Sequence, residues 1–321
     1  MSNKPKIVFL GTPDFAVPSL EILVENGYPI SAVITVPDKP AGRGQKILSS
    51  PVKQCAEKHG LKILQPTNLK DEAFIEELRS LKADLQIVVA FRMLPEAVWN
   101  MPKAGTFNLH GSLLPQYRGA APINWAVING EKSTGVTTFF LRQEIDTGNI
   151  IFKEEVEIKE EDTAGTIHNK LMIVGSKLVL KTVQAIESGK VKSIDQSSLS
   201  QGTLRTAPKL NRENTKLSLQ FSPVEARNFI RGLSPYPAAH SELFNDNGIG
   251  FSVKIFDVDA VSIEHSFPVG KIDTDNKSFL HIYLSGGYIS INELQLSGRN
   301  KMKIRDFLNG VKFEGNWKVN K

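Results

Sequence analysis

The chain has 321 residues, 40% of them hydrophobic and 23% charged, with a formal charge of +5. These are ordinary globular values, and the length favours two domains over one. No run of about 18 apolar residues occurs, which excludes a membrane-spanning helix, and the single cysteine, Cys55, excludes an internal disulfide and a zinc site built from cysteines.

The amino terminus, Met1-Ser2-Asn3-Lys4-Pro5-Lys6, leads straight into a strand and lacks the apolar core of a signal peptide. A cytoplasmic protein is expected. Lys6 to Gly11 predicts a buried strand, followed by a turn at Thr12-Pro13-Asp14. A helix with Pro18 in its first turn runs to Asn26-Gly27, where the glycine supplies the stop. Ile30 to Val36 reads as a strand, and Pro37 to Lys46 as a long loop. A helix from Pro51 to about His59 carries Cys55, taken as a small buried apolar residue rather than a nucleophile. Lys62 to Leu64 is a short strand, and Asp71 caps a helix to Leu81. Leu85 to Phe91 is nearly all apolar, as a strand covered on both faces should be. This alternation predicts an α/β fold, a doubly wound and mostly parallel sheet.

The next strand ends in Thr106-Phe107-Asn108-Leu109-His110-Gly111. Its period-2 alternation sends Phe107 and Leu109 one way and Asn108 and His110 the other. An amide and an imidazole at a strand's carboxyl end, opening into a loop, is how such folds place chemistry. A helix follows over 120–130, then strands over 135–141 and 149–158, with the polar turn Glu144-Ile145-Asp146-Thr147-Gly148 between them. Thr163 caps a long helix to Ser188. Ser, Gln, Thr and Pro208 break the periodicity over 194–211, which reads as a linker between a catalytic domain, 1–193, and a second domain, 212–321. The second domain begins with a helix over 223–232. Short strands follow over 250–257, 269–272, 279–284 and 287–296, suggesting a small β-barrel with a basic tail.

Several chemistries are excluded. Gly11-Thr12-Pro13-Asp14 fails as a dinucleotide loop, because Pro13 removes a backbone donor. No P-loop or H-E-x-x-H occurs, and no metal is expected. Ser112 lacks the second glycine of a nucleophile elbow. Asn108, His110 and Asp146 remain as a set suited to attack of an amine on a carbonyl carbon. The amide can donate to an oxyanion, histidine is the side-chain type whose ordinary pKa lies nearest neutrality, and a sheltered carboxylate can orient it.

Phe107-Asn108-Leu109-His110-Gly111-Ser112-Leu113-Leu114-Pro115, Tyr117-Arg118-Gly119-Ala120-Ala121-Pro122 and Asp146-Thr147-Gly148 resemble the signature of formyltransferases that use 10-formyltetrahydrofolate. The first loop, the stretch Pro37 to Gly44 and Asp306-Phe307-Leu308-Asn309-Gly310 extend this resemblance to the methionyl-tRNA formyltransferase family, over nearly the whole chain. The resemblance implies a Rossmann-like formyltransferase domain and a smaller C-terminal, OB-like barrel that binds tRNA. It implies catalytic Asn108, His110 and Asp146, and folate contacts at Ser112, Leu113, Leu114 and Pro115. It also implies a basic loop with Lys39, Arg43 and Lys46 for the acceptor stem. The implied activity is transfer of a formyl group from 10-formyltetrahydrofolate to the α-amino group of initiator methionyl-tRNA, by a monomer without metal. An amino sugar or purine precursor is the alternative acceptor, and an inactive RNA-binding scaffold the alternative of another class. Phe91-Arg92-Met93 departs from the Tyr-Gly pair usual in the family, which bears on the pterin pocket.

Overall fold

The computed structural model describes residues 4–41, 46–199 and 202–319. They form two compact units. One comprises Met1–Pro122, Thr134–Val156 and His168–Thr206; the other comprises Ile123–Ser133, Glu157–Ile167 and Ala207–Lys321.

In chain order the N-terminal half holds β1 (Ile7–Gly11), α1 (Val17–Glu25), β2 (Ile30–Ile34), β3 (Lys39–Ala41), β4 (Lys46–Leu48), α2 (Pro51–Lys58), β5 (Ile63–Leu64), α3 (Glu72–Ser80) and β6 (Leu85–Val89). Then come α4 (Glu96–Trp99), β7 (Thr106–His110), β8 (Arg118–Gly119), α5 (Pro122–Ile128), β9 (Ser133–Phe140), β10 (Ile150–Glu157) and α6 (Ala164–Glu187). The main sheet has the order β10-β9-β7-β6-β1-β2-β5. Its strands from β5 to β7 are parallel, and β9 runs antiparallel to β7. Strands β1 and β6 are buried at every position, which is why they read as unbroken apolar runs. Asp71 caps α3 as expected, its carboxylate accepting from Phe74 N at 3.0 Å.

Two features set the position of β7. It is an interior strand, flanked by β6 and β9, so both its edges are bonded. Helix α6 also packs closely over it. A Cβ on Gly175 would stand 2.8 Å from Leu109 Cδ2, so any side chain there would have to push the Leu109 tip aside. The stretch expected as a long loop over 37–46 is instead an antiparallel ribbon at its base, with Lys39 opposite Leu48. Just before it, Asp38 binds Lys53 and Gln65. The carboxyl of Asp38 is held below the ordinary range by its hydrogen bonds to Lys53 and then Gln65.

The remaining elements are β11 (Thr206–Ala207), α7 (Pro223–Leu233), β12 (Ala239–Asn245), β13 (Gly250–Ser262), β14 (Lys271–Thr274), β15 (Leu280–Leu284), β16 (Gly287–Leu296), β17 (Met302–Lys303), α8 (Ile304–Gly310) and β18 (Trp317–Val319). Strands β12, β13, β16, β15, β14 and β18 pair antiparallel in a closed ring of six, which leaves no open edge among them. Helix α7 contributes Ala226, Phe229, Ile230 and Leu233 to the barrel's core. It opens with a capping box between Ser222 and Glu225. The sequence reading missed β12 and β18. The stretch read only as a basic tail is part of the barrel: Phe307 and Trp317 are buried, and β18 pairs with both β12 and β14 in the ring.

Candidate active site

Strand β7 delivers the first two residues. Phe107 and Leu109 are buried on one side, and Asn108 and His110 point to the other. Asn108 lies in register between Val88 of β6 and Phe139 of β9. It is half-buried, and among the described residues its amide has no hydrogen-bond partner. That amide is therefore available to a ligand.

His110 is 6% exposed. Its Nε2 lies 2.9 Å from the Tyr117 carbonyl oxygen. A carbonyl can only accept, so Nε2 carries a hydrogen and donates it. This leaves Nδ1 as the nitrogen free to exchange a proton. Nδ1 faces Asp146 Oδ2 at 3.8 Å, longer than a hydrogen bond but well within electrostatic reach. The Phe139 ring meets the imidazole edge-on, with centroids 6.5 Å apart.

Asp146 comes from the turn between β9 and β10. Its backbone has φ +54°, a left-handed conformation that costs a non-glycine residue strain unless the surroundings fix it. Those surroundings are specific. Gly119 N donates to Asp146 Oδ2 at 3.1 Å. Gln196 Nε2 donates to the carbonyl oxygens of Asp146 and Gly148, at 2.9 and 2.7 Å. Gln196 Oε1 accepts from Arg118 Nε and Nη2, at 3.1 and 2.7 Å. Gln196 is 1% exposed and lies in the stretch read as a linker. Sequence reasoning missed it, because a glutamine among serines carries no local signal.

The four residues assigned to folate occupy a tight turn. Ser112 Oγ donates to the Gln116 carbonyl at 2.7 Å, and the Ser112 carbonyl accepts from Thr137 Oγ1 at 2.6 Å. Thr137 Oγ1 in turn accepts from Leu114 N at 3.1 Å. Ser112 and Leu114 are fully buried, and Pro115 is buried too. What this turn offers a ligand is its backbone and the half-exposed Leu113. In the departing segment, Arg92 turns back to donate to the carbonyls of Pro66 and Thr67. Its guanidinium lies 5.5 Å from the Phe91 ring centroid, and burial pushes its pKa down. Met93 is left 69% exposed.

Of the residues assigned to tRNA, Lys39 is exposed on β3. Arg43 and the side chain of Lys46 lie outside the described residues. In the second unit, a cleft of about 630 Å³ is lined by Arg212, His240, Lys254, Tyr236 and Gln295, among others. His240, Lys254 and Gln295 form one row across β12, β13 and β16. Tyr236 is 81% exposed. Burial, then the Arg212 charge, push the His240 pKa down. Cations beside an exposed aromatic ring suit nucleic acid.

One group among the described residues has metal-ligand chemistry. Glu21, Cys55 and His59 place their ligand atoms within 4.8 Å of one another. The Lys58 ammonium already pairs with Glu21 at 3.3 Å, and burial together with the Glu21 charge pushes the Cys55 thiol up to about 11. None of these residues belongs to the Asn108, His110 and Asp146 set.

Comparison with known proteins bears on the family and the fold. The formyl transferase family matches residues 5–183, and the formyl transferase C-terminal domain matches residues 209–312. The chain is 53% identical to the methionyl-tRNA formyltransferase of Bacteroides thetaiotaomicron, over 98% of both chains. It is 55% identical to that of Bacteroides fragilis, over 95% of this chain and 94% of the other. Among solved structures it is similar in fold to an N-formyltransferase from Helicobacter canadensis complexed with folinic acid and dTDP-3-aminofucose. That match has a TM-score of 0.65 at 23% identity, over 93% of this chain and 100% of the other. A sugar 3N-formyl transferase, WlaRD, matches with a TM-score of 0.64 at 21% identity, over the same shares.

Proposed function

The chain belongs to the methionyl-tRNA formyltransferase family, and from that premise we propose how its residues do the work. The chain is an enzyme that moves a formyl group from 10-formyltetrahydrofolate to the α-amino group of methionine esterified to initiator tRNA. The observation that carries the proposed site is the convergence of Asn108, whose amide is unpartnered among the described residues, and His110, whose Nδ1 faces Asp146 at 3.8 Å.

The neutral amine attacks the formyl carbon, and the carbon–oxygen π pair becomes an oxyanion. Asn108 donates to that oxygen without changing charge. His110 keeps its Nε2 hydrogen on the Tyr117 carbonyl and works through Nδ1. Nδ1 takes the proton that the attacking nitrogen must lose, directly or through a water. Asp146 stabilises the imidazolium so formed. As the intermediate collapses, the formyl carbon's bond to folate breaks, and the His110 proton passes to the departing nitrogen. No residue of this site offers a credible acyl-accepting nucleophile, so the transfer is direct.

The pterin lies in the slot between Val88–Leu94 and the 112–115 turn, which presents Leu113 and backbone groups. Arg92 fixes one wall by its bonds to residues 66 and 67. Lys39, Arg43 and Lys46 neutralise acceptor-stem phosphates, and the barrel cleft with Arg212 and Lys254 takes a further part of the tRNA. Residues 1–193 do the chemistry, 194–211 connect, and 212–321 bind tRNA. The protein acts as a monomer in the cytoplasm, and its chemistry uses no metal.

The test is formyl transfer by the purified chain to initiator methionyl-tRNA, elongator methionyl-tRNA, a nucleotide-linked amino sugar and a purine-precursor amine. Transfer to the initiator tRNA alone is expected. Preference for the sugar or the purine precursor, or no transfer at all, would overturn the reading. Arg43→Ala should slow transfer to full tRNA and spare a short aminoacyl analogue; equal loss on both would remove the loop from tRNA binding.

A further inference from the structure

One three-residue segment, Tyr117 to Gly119, touches both partners of the proposed proton-handling pair through its two end residues. The Tyr117 carbonyl fixes the His110 ring, and Gly119 N fixes the Asp146 carboxylate. Between them, the Arg118 guanidinium reaches Gln196 through two hydrogen bonds. Gln196 then spends its amide hydrogens on the two carbonyls that frame Asp146, at residues 146 and 148. The chain Arg118–Gln196–turn is thus a rigid strut between the segment that orients the imidazole and the turn that carries the carboxylate.

The strut has something to resist. Tyr117 and Asp146 both sit at left-handed φ, +59° and +54°. Each would relax toward an ordinary conformation if its neighbours allowed it. A β-turn on a protein surface is otherwise among the softer parts of a fold. Relaxation at Asp146 would swing its carboxylate away from Nδ1, while Asn108 and His110, held in an interior strand, stayed where they are.

We propose that Arg118 and Gln196 are positioning residues for the reaction: together they hold the 144–148 turn so that the Asp146 carboxylate stays opposite His110 Nδ1. They touch no reacting atom. This inference rests on the reading of Asp146 as the partner of His110, and it assigns function to a residue in the stretch between the two domains.

The experiment is a double-mutant cycle on the full-length chain, read by single-turnover formylation of initiator methionyl-tRNA. Gln196→Ala should lower the transfer rate about 10- to 100-fold, the scale for an ångström of misplacement, with KM for both substrates held within about twofold. In an Asp146→Asn background the same change should cost nothing further, because the group it positions has lost its charge. Arg118→Lys should restore part of the activity that Arg118→Ala loses. The Gln196→Ala chain should also lose the part of its pH–rate profile that depends on Asp146, a readout a merely structural glutamine would not move. Should Gln196→Ala fail to fold, Gln196→Met keeps the volume and removes the hydrogen bonds, and gives the same reading. Full activity in Gln196→Ala, or an equal loss with and without Asp146, overturns the inference. Full activity in Asp146→Asn overturns the reading beneath it, so the two failures are told apart.

Discussion

Replacing Asp146 by Asn isolates charge from shape. The amide is nearly isosteric, and its oxygen can still accept from Gly119 N, so the turn should keep its geometry. What is lost is the attraction between the carboxylate and the imidazolium that forms as Nδ1 takes a proton. Their separation is 3.8 Å, and the side chains of His110 and Asp146 are only 7% and 13% exposed. At an effective dielectric of about 20, Coulomb's law gives about 4 kcal/mol at that distance; in bulk water it would give about 1. Since the positive charge is present in the transition state and absent from the neutral ring, the difference falls on the rate. About 4 kcal/mol corresponds to roughly a 1000-fold loss in single-turnover transfer, with little change in folate affinity. The assay is rapid mixing of enzyme and 10-formyltetrahydrofolate with charged initiator tRNA, with the formylated product counted. A loss under about tenfold would mean that the pair is screened as in water, and the role given to Asp146 would fail.

Asn108→Ala should lose about 2.7–4 kcal/mol of transition-state stabilisation, as when an oxyanion donor is removed, and leave the unfolding midpoint nearly unchanged because the amide has no partner among the described residues. Turnover at saturating substrates and a urea titration check the two halves of that statement. At Gly148 a Cβ would stand 1.5 Å from the Phe140 carbonyl oxygen, so Gly148→Ala must move backbone. It should cost about 1–3 kcal/mol of stability and, by shifting the Asp146 turn, slow transfer as well. Asp38 is the pH-sensitive case. Lys53 and Gln65 hold its folded pKa below the ordinary 3.8, so its stabilisation is present above that value and is lost as pH falls through the lower, folded one. Asp38→Asn should therefore lower the thermal midpoint at pH 7, and the gap from the unchanged chain should close on acidification below about 3.8. A gap that widened in acid would contradict the sign.

The parts of this site that follow a local period were readable in the chain. Alternation over 106–110 fixed which way Asn108 and His110 point, and unbroken apolar runs marked β1 and β6. Asp71 announced a helix start by residue type alone. What depended on partners far along the chain was not readable. Asp146 sits in a turn any reader would mark, but nothing local says it faces His110, 36 residues earlier. Gln196 acts only because Arg118 and the 144–148 carbonyls meet it. The ribbon of β3 and β4 hides behind Pro40 and Gly42, which punctuate loops more often than strands. Strand β12 is about half polar and β18 is only three residues long, and they gain their status from pairing with other strands, β12 with β13 and β18, and β18 with β12 and β14. Ser112 was assigned to folate by resemblance, yet its hydroxyl is buried and bonded to Gln116.

The most direct measurement is a structure of the chain with a formyl-bearing folate analogue. The formyl oxygen should lie within about 2.7–3.2 Å of Asn108 Nδ2, with His110 Nδ1 and the Asp146 carboxylate on the side the amine must approach. A formyl carbon bound beyond reach of these groups, or on the far side of the 112–115 turn, would contradict the account at its centre.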